Sequence, residues 1–267
     1  MTGIRVSIDI AAPVERVWQV VEPVERHVDW MSQWLIANDL RHLTLVCQDW
    51  GSLIGLRLVT AFPDRFDRVV LGNGGLPTGD PEPNAAFKAW CEFSQKTPTF
   101  DTSKIIQGGC ASKPLAPEVL AAYDAPYPDE SYKAGARIFP TLVPASLDYP
   151  SSKENLAAWE VLKKWTKPFH CAFSDGDPVT RNGEWTFRKQ IPGCEYSAHT
   201  TIVGAGHFLQ EDRGPELAAL IIELVAKVAK PMVIDADGLN AFEGNAERLQ
   251  VAPDQPQRII TPHPGEF

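Results

Sequence analysis

In the stretch LTLVCQDWGSLIGLRL, Asp49 stands where an apolar, β-prone run gives way to an almost wholly apolar helical pattern, with Cys47 and Gly51 as small residues two positions either side. This is the pattern of a sharp strand-to-helix turn, a nucleophile elbow, with a carboxylate in place of the more usual serine. A turn of that kind lifts the side chain above the sheet, and the N-terminus of the following helix stabilises negative charge there. A carboxylate so placed is equipped for nucleophilic catalysis through an ester that water later hydrolyses. The same residues also suit an aspartate that only caps a helix.

Such a turn needs a sheet to stand on. A helix from His27 to Asn38 leads to a strand at Leu43 to Cys47, the turn at Gln48-Asp49-Trp50, and a helix that ends before Pro63. A second strand is expected at Arg68 to Gly72, followed by a Pro-rich and aromatic tract from Pro77 to about Tyr149 with helical pieces and no clear strand. Alternation resumes with a strand at Pro168 to Phe173, a helix at Asn182 to Gln190, a strand at Thr200 to Val203 and a helix at Pro215 to Ala229. Strand and helix in turn argue for an α/β fold with a parallel sheet, and the long helical tract for a lid inserted between strands.

Composition bounds the function classes. The 267 residues are 44% hydrophobic and 22% charged, as expected of a globular α/β chain able to bury a sizeable core. A net charge of −9 argues against nucleic acid as a partner. The longest apolar stretch, Leu217 to Ala229, is broken by Glu223 and Lys227 and is too short for a membrane span, and the N-terminus lacks the apolar core of a signal peptide, so a cytoplasmic location is expected. Five scattered cysteines show none of the close pairing that a zinc or redox motif needs; no metal and no cofactor are expected, and the thiols read as reduced.

An Asp-Trp-Gly turn, the segment GNGGLPTGD, the helix FKAW, the loop FSDGDP and the loop GAGHFLQED occur here in the order seen in haloalkane dehalogenases. The resemblance runs from about Arg26 to Lys227 and is strongest to the subgroup whose second halide-binding tryptophan sits in the lid. It implies an α/β-hydrolase fold with a helical lid at about 77–160, a small haloalkane with water and halide as the molecules handled, and a role for each matching residue. Asp49 would be the nucleophile, Trp50 and Trp90 the halide ligands, His207 the general base and Asp177 its orienting carboxylate, with Phe87 lining the pocket. Two indole N–H groups suit that task, since they donate to a leaving halide without competing as nucleophiles.

Other readings stand beside these. Phe87 and Trp90, three apart, are also what any packed helix presents, His207 is also a plausible structural loop histidine, and Asp175 stands two residues from Asp177 as a rival for its place. Epoxide hydrolases share the fold and the aspartate nucleophile. They usually carry His before it, where this chain has Gln48, and they use lid tyrosines, for which Tyr123, Tyr127 and Tyr132 are the candidates.

The two ends look foreign. Residues 1–25 resemble the opening strand and helix of a START-like or polyketide-cyclase-like domain, and 231–267, with PMVIDADGLNAF and RIITPHPGEF, resemble part of the NAD(P)H-hydrate dehydratase family without its glycine-rich catalytic segment. No nucleotide site and no dehydratase activity are expected of it. On this reading 26–230 is the hydrolase portion, the sheet lacks its first strands, Leu43 to Cys47 becomes an edge, and the C-terminal segment is an appendage. No His-Gly loop precedes Asp49 to supply an oxyanion-hole N–H, so dehalogenase turnover is expected to be impaired, or absent if the mosaic completes no site.

Overall fold

The computed structural model describes residues 24–111, 114–226, 232–235 and 258–261. The START-like reading of 1–25 therefore lies almost wholly outside the described residues. Helix α1 (Val24–Ala37) leads into β1 (Leu43–Gln48), α2 (Asp49–Ala61) and β2 (Phe66–Gly74). A helical tract follows: α3 (Ala85–Lys96), α4 (Thr102–Gly109), α5 (Pro117–Asp124), α6 (Ala134–Ile138) and α7 (Ser152–Leu162), with no strand among its described residues. The chain then returns to the sheet through β3 (Phe169–Ser174), α8 (Glu184–Gln190), β4 (Thr200–Ile202), α9 (Leu209–Ala226), β5 (Met232–Asp235) and β6 (Arg258–Thr261). Among the described residues no helix is long and apolar enough to cross a membrane.

The strands form one sheet in the order β4-β3-β2-β1-β5-β6, with every pairing parallel. β1 and β3 are buried along their whole length, as strands covered by helices on both faces must be, and their continuous apolar runs are the cause. Leu43, Leu56, Leu71, Leu162 and Phe169 are fully buried and join the strands to α2 and α7 in one core. Helix α9 begins earlier than its apolar pattern suggests. It runs through a break at Arg213, whose φ and ψ are −139° and 39°, just ahead of Pro215, which cannot continue a ladder behind it.

The sheet corrects two expectations about the C-terminal residues. β1 is not an edge, and the described C-terminal residues are not an appendage: β5 lies parallel beside β1, with Leu45 opposite Val233 and Val46 opposite Ile234, and β6 pairs outside it. The physical reason is the demand of β1 itself. A strand apolar on both faces carries a row of backbone donors and acceptors that need a partner, and the MVID run is a second strand of the same apolar character.

Candidate active site

The polar side chains that matter gather at the carboxyl ends of the parallel strands, where α/β sheets place their ligands. Asp49 is the first residue after β1. Its φ of 43° puts a non-glycine residue in the left-handed region, a conformation costing roughly 1–3 kcal/mol that persists only where the surroundings impose it. Ser52 is one such restraint: its Oγ lies 2.5 Å from the Asp49 carbonyl and accepts the Gly75 N–H at 2.8 Å. Gly74 is another, since it forms an isolated parallel bridge with Asp49 and any Cβ there would collide with Ser52. The turn therefore holds the Asp49 carboxylate up at the strand ends, with its side chain about half exposed at 47%.

His207 follows β4 and stands against that carboxylate. Its Nε2 is 3.4 Å from Asp49 Oδ1, and its Nδ1 is 2.9 Å from Asp177 Oδ2. Asp177, after β3, is wholly buried, and its carboxylate also accepts the Val179 N–H at 2.8 Å and the Thr180 hydroxyl. Asp175 does not compete for the imidazole, because its carboxylate accepts the Gly204 N–H at 2.8 Å instead. The sequence candidates Asp49, Asp177 and His207 thus converge into one chain of contacts.

The electrostatics follow from that chain. Burial alone would discourage charge on the His207 ring, but its hydrogen bonds to Asp177 and Asp49, and the charge of both carboxylates, outweigh it and push the ring up to about 10. Burial alone would likewise raise the Asp177 carboxyl, yet the imidazolium and the donors of Thr180 and Val179 hold it below its ordinary value. The resting arrangement is an imidazolium between two carboxylates.

A cavity of about 560 Å³ opens beside Asp49, and Phe87 of α3 lines it together with Leu53, Leu76, Val143 and Trp159. Trp50 and Trp90 are not among its lining residues. The Trp50 ring packs edge-on against Phe139 with centroids 5.1 Å apart, and Trp90 stacks on Phe93 and lies 5.9 Å from Phe100. The three tyrosines named above do not line the cavity either. Tyr123 donates its hydroxyl to Glu211 at 2.6 Å and Tyr132 is exposed. Among the described residues no group of acidic, histidine and cysteine side chains is arranged to hold a metal ion.

Residue reasoning missed the supports: Gln48, Ser52, Asn73, Ser174 and Thr180. Asn73 had a signal, a polar residue at the end of the apolar run VVLGNG, level with the nucleophile turn.

Comparison with known proteins places relatives beside both parts of the chain. A haloalkane dehalogenase of Psychrobacter cryohalolentis is 53% identical over 201 residues, which is 75% of this chain and 66% of that protein. Over that span the chain is a homologue of the haloalkane dehalogenases. It covers just under two thirds of that relative's length. The tetrameric haloalkane dehalogenase structure from Paraglaciecola agarilytica superposes with a TM-score of 0.63 at 28% identity, over 70% of this chain and 62% of that one. At the other end, the family described as NAD(P)H-hydrate dehydratase matches residues 193–267. A bifunctional NAD(P)H-hydrate repair enzyme of Salinibacter ruber is 41% identical over 73 residues, 27% of this chain and 12% of that enzyme. The chain is a mosaic of a dehalogenase homologue and a dehydratase-family segment, and the two share one partial α/β-hydrolase sheet through the β1–β5 pairing.

Proposed function

We propose that the protein is a dehalogenase-type hydrolase that cleaves carbon–halogen bonds of small haloalkanes through an ester on Asp49. The observation that carries this is the Asp49–His207–Asp177 chain at 3.4 and 2.9 Å, in a chain homologous to haloalkane dehalogenases. In the first step an Asp49 oxygen forms a bond to the halogen-bearing carbon, and the halide leaves with the bonding electron pair. The proposed receivers of that charge are the indole N–H of Trp50, next in chain to the nucleophile, and that of Trp90 on the helix that also carries the cavity residue Phe87.

In the second step His207 takes a proton from water as the water oxygen bonds to the ester carbonyl carbon; the tetrahedral intermediate then breaks its bond to the alkoxide oxygen, which takes the proton back from the imidazolium and leaves as the alcohol, restoring the Asp49 carboxyl group. Alkylation prepares this step. Turning Asp49 into a neutral ester removes one of the two charges that hold the imidazolium proton, so the ring moves toward a base only after the first step is complete. Asp177 keeps the ring oriented and stabilises the cation that forms. The developing oxyanion needs N–H donors, for which the Trp50 backbone N–H, next in chain to the nucleophile, is the candidate; no His-Gly pair stands between residue 24 and Asp49 to offer a second, so hydrolysis is proposed as the weaker half of the reaction.

The proposed catalytic portion is 26–230, with 77–160 as its lid. An epoxide hydrolase finds less support, since the chain is homologous to haloalkane dehalogenases, carries Gln48 before the nucleophile, and engages Tyr123 with Glu211. The test is halide release from short brominated alkanes by the wild type and Asp49→Asn. Release by the wild type that vanishes in Asp49→Asn supports the proposal, and equal release by both, or none together with no adduct on Asp49, overturns it.

A further inference from the structure

We propose that Asn73 is a positioning residue for the acid-base histidine: its carboxamide, at the carboxyl end of β2, fixes the Gly206–His207 backbone and thereby the place of the imidazole between Asp49 and Asp177. The kinetic part of this inference rests on the function proposed above.

Asn73 is fully buried, and every polar atom of its side chain is used. Its Nδ2 donates to the Gly206 carbonyl at 2.8 Å, to the His207 carbonyl at 3.1 Å and to Ser174 Oγ at 2.9 Å, while its Oδ1 accepts the Ser174 N–H at 2.8 Å. Ser174 in turn donates its hydroxyl to the Gly206 carbonyl at 2.8 Å, and Gln48 donates its Nε2 to the His207 carbonyl at 2.8 Å. Side chains from the ends of β1, β2 and β3 therefore converge on two consecutive carbonyls of one loop. Of these three side chains Asn73 alone touches both carbonyls, and its bonds to Ser174 tie β2 to β3 at the same point.

The chemistry of the position is specific. A carboxamide offers two N–H groups, shared among the two carbonyls and Ser174 Oγ, and an oxygen that accepts the Ser174 N–H. An aspartate of the same shape would set carboxylate oxygens against carbonyl oxygens, and an apolar residue would remove one donor from each carbonyl, leaving Gly206 to Ser174 and His207 to Gln48. The His207 ring has no slack: it must keep 2.9 Å to one carboxylate while reaching a water at the other, and its main chain is otherwise anchored by the His207 N–H to the Gly109 carbonyl at 2.8 Å.

The test compares the wild type with Asn73→Leu, which removes every hydrogen bond, and Asn73→Ser, which is small enough to fold if the leucine variant does not. Two readouts separate positioning from plain structural support. The first is the lifetime of an Asp49 adduct preformed with an alkyl bromide, against the rate at which that adduct forms. Displacement needs no base, so formation should stay near the wild-type rate while hydrolysis slows on the order of ten- to a hundredfold. The second, which needs no turnover, is the far-downfield proton NMR signal of the His207–Asp177 hydrogen bond, expected to weaken or vanish in a variant whose circular dichroism matches the wild type. A folded variant with unchanged adduct lifetime and an unchanged downfield signal overturns the inference, as does parallel loss of both chemical steps together with the fold. If the wild type forms no adduct, the proposed function is what has failed, and the NMR comparison alone then decides the role of Asn73.

Discussion

Leu45, in the strand that ends at the candidate nucleophile, stands in parallel register with Val233, in the segment that matches the dehydratase family. The sheet is continuous across the junction between two homologies. Removing the residues after Lys230 would therefore uncover the backbone of a strand that is apolar on both faces and delete two strands from the described sheet. Net stabilities of domains are only about 5–15 kcal/mol, so the truncated chain is expected to lose cooperative unfolding and to aggregate. Soluble yield and thermal melting of the 1–230 fragment check this. A fragment that melts as the whole chain does would show that β5 and β6 contribute nothing.

What the sequence disclosed depended on how local each signal was. The β1–Asp49–α2 unit was legible because its apolar run, sharp turn and buried helix lie within nineteen residues, Leu43 to Ala61, and the observed elements match them closely. Asp177 and His207 were legible only through resemblance, since nothing in FSDGDP or GAGHFLQED alone says that the two loops meet. The β1–β5 pairing was hidden, because it joins residues nearly two hundred positions apart whose apolar patterns fit equally well an independent fragment. The roles of Asn73 and Gln48 were hidden for a different reason: a polar residue at a strand end can be noticed, as Asn73 can in VVLGNG, but the Gly206 and His207 carbonyls that the two reach carry no sequence signature.

The charge on His207 should depend on Asp49. In the wild type the ring is raised to about 10, with hydrogen bonds to both carboxylates among the causes. Asn at position 49 keeps the shape and removes the charge, as the ester does, so Asp49→Asn is expected to titrate its His207 at lower pH. Histidine NMR titration of both proteins gives the answer, and an unchanged midpoint would mean that Asp49 does not govern the ring.

The same shifts set the stability profile. A raised histidine stabilises the fold below its unfolded value near 6.5, and that contribution is lost as pH rises through about 10. The Asp177 carboxyl is held low, so its contribution is present above its unfolded value near 3.9 and is lost as pH falls through the folded one. The melting temperature of the wild type should fall on both sides of that window, and Asp177→Asn should flatten the acid side.

The two tryptophans are distinguishable from packing residues by where their loss is felt. If each indole N–H receives the departing halide, Trp50→Phe and Trp90→Phe should each slow alkylation of Asp49 by about ten- to a hundredfold, the worth of a hydrogen bond to a charged group at roughly 1.5–3 kcal/mol. Adduct hydrolysis should be untouched. Trp90 also stacks on Phe93, and a Phe in its place keeps much of that ring contact. Rapid-quench mass spectrometry of adduct formation is the measurement, and wild-type alkylation rates in both variants would return the rings to a packing role.

The two chemical steps should be unequally served by this chain. On the proposed roles, displacement of halide draws on Asp49, Trp50 and Trp90, whereas hydrolysis builds an oxyanion on the Asp49 ester that needs N–H donors of its own, and no His-Gly pair stands between residue 24 and Asp49 to offer one. Losing one such donor costs about 3 kcal/mol, on the order of a hundredfold or more in rate. With alkyl bromide in excess the alkylated form of Asp49 is therefore expected to accumulate, visible by intact-mass spectrometry as an adduct that Asp49→Asn does not form. The adduct should also clear faster as pH rises, because the neutral ester leaves His207 with only Asp177 to hold its proton, so more of the ring becomes a base. Sustained halide release over many turnovers with no adduct detected would mean that another N–H completes the oxyanion site, and that hydrolysis is not the slow half.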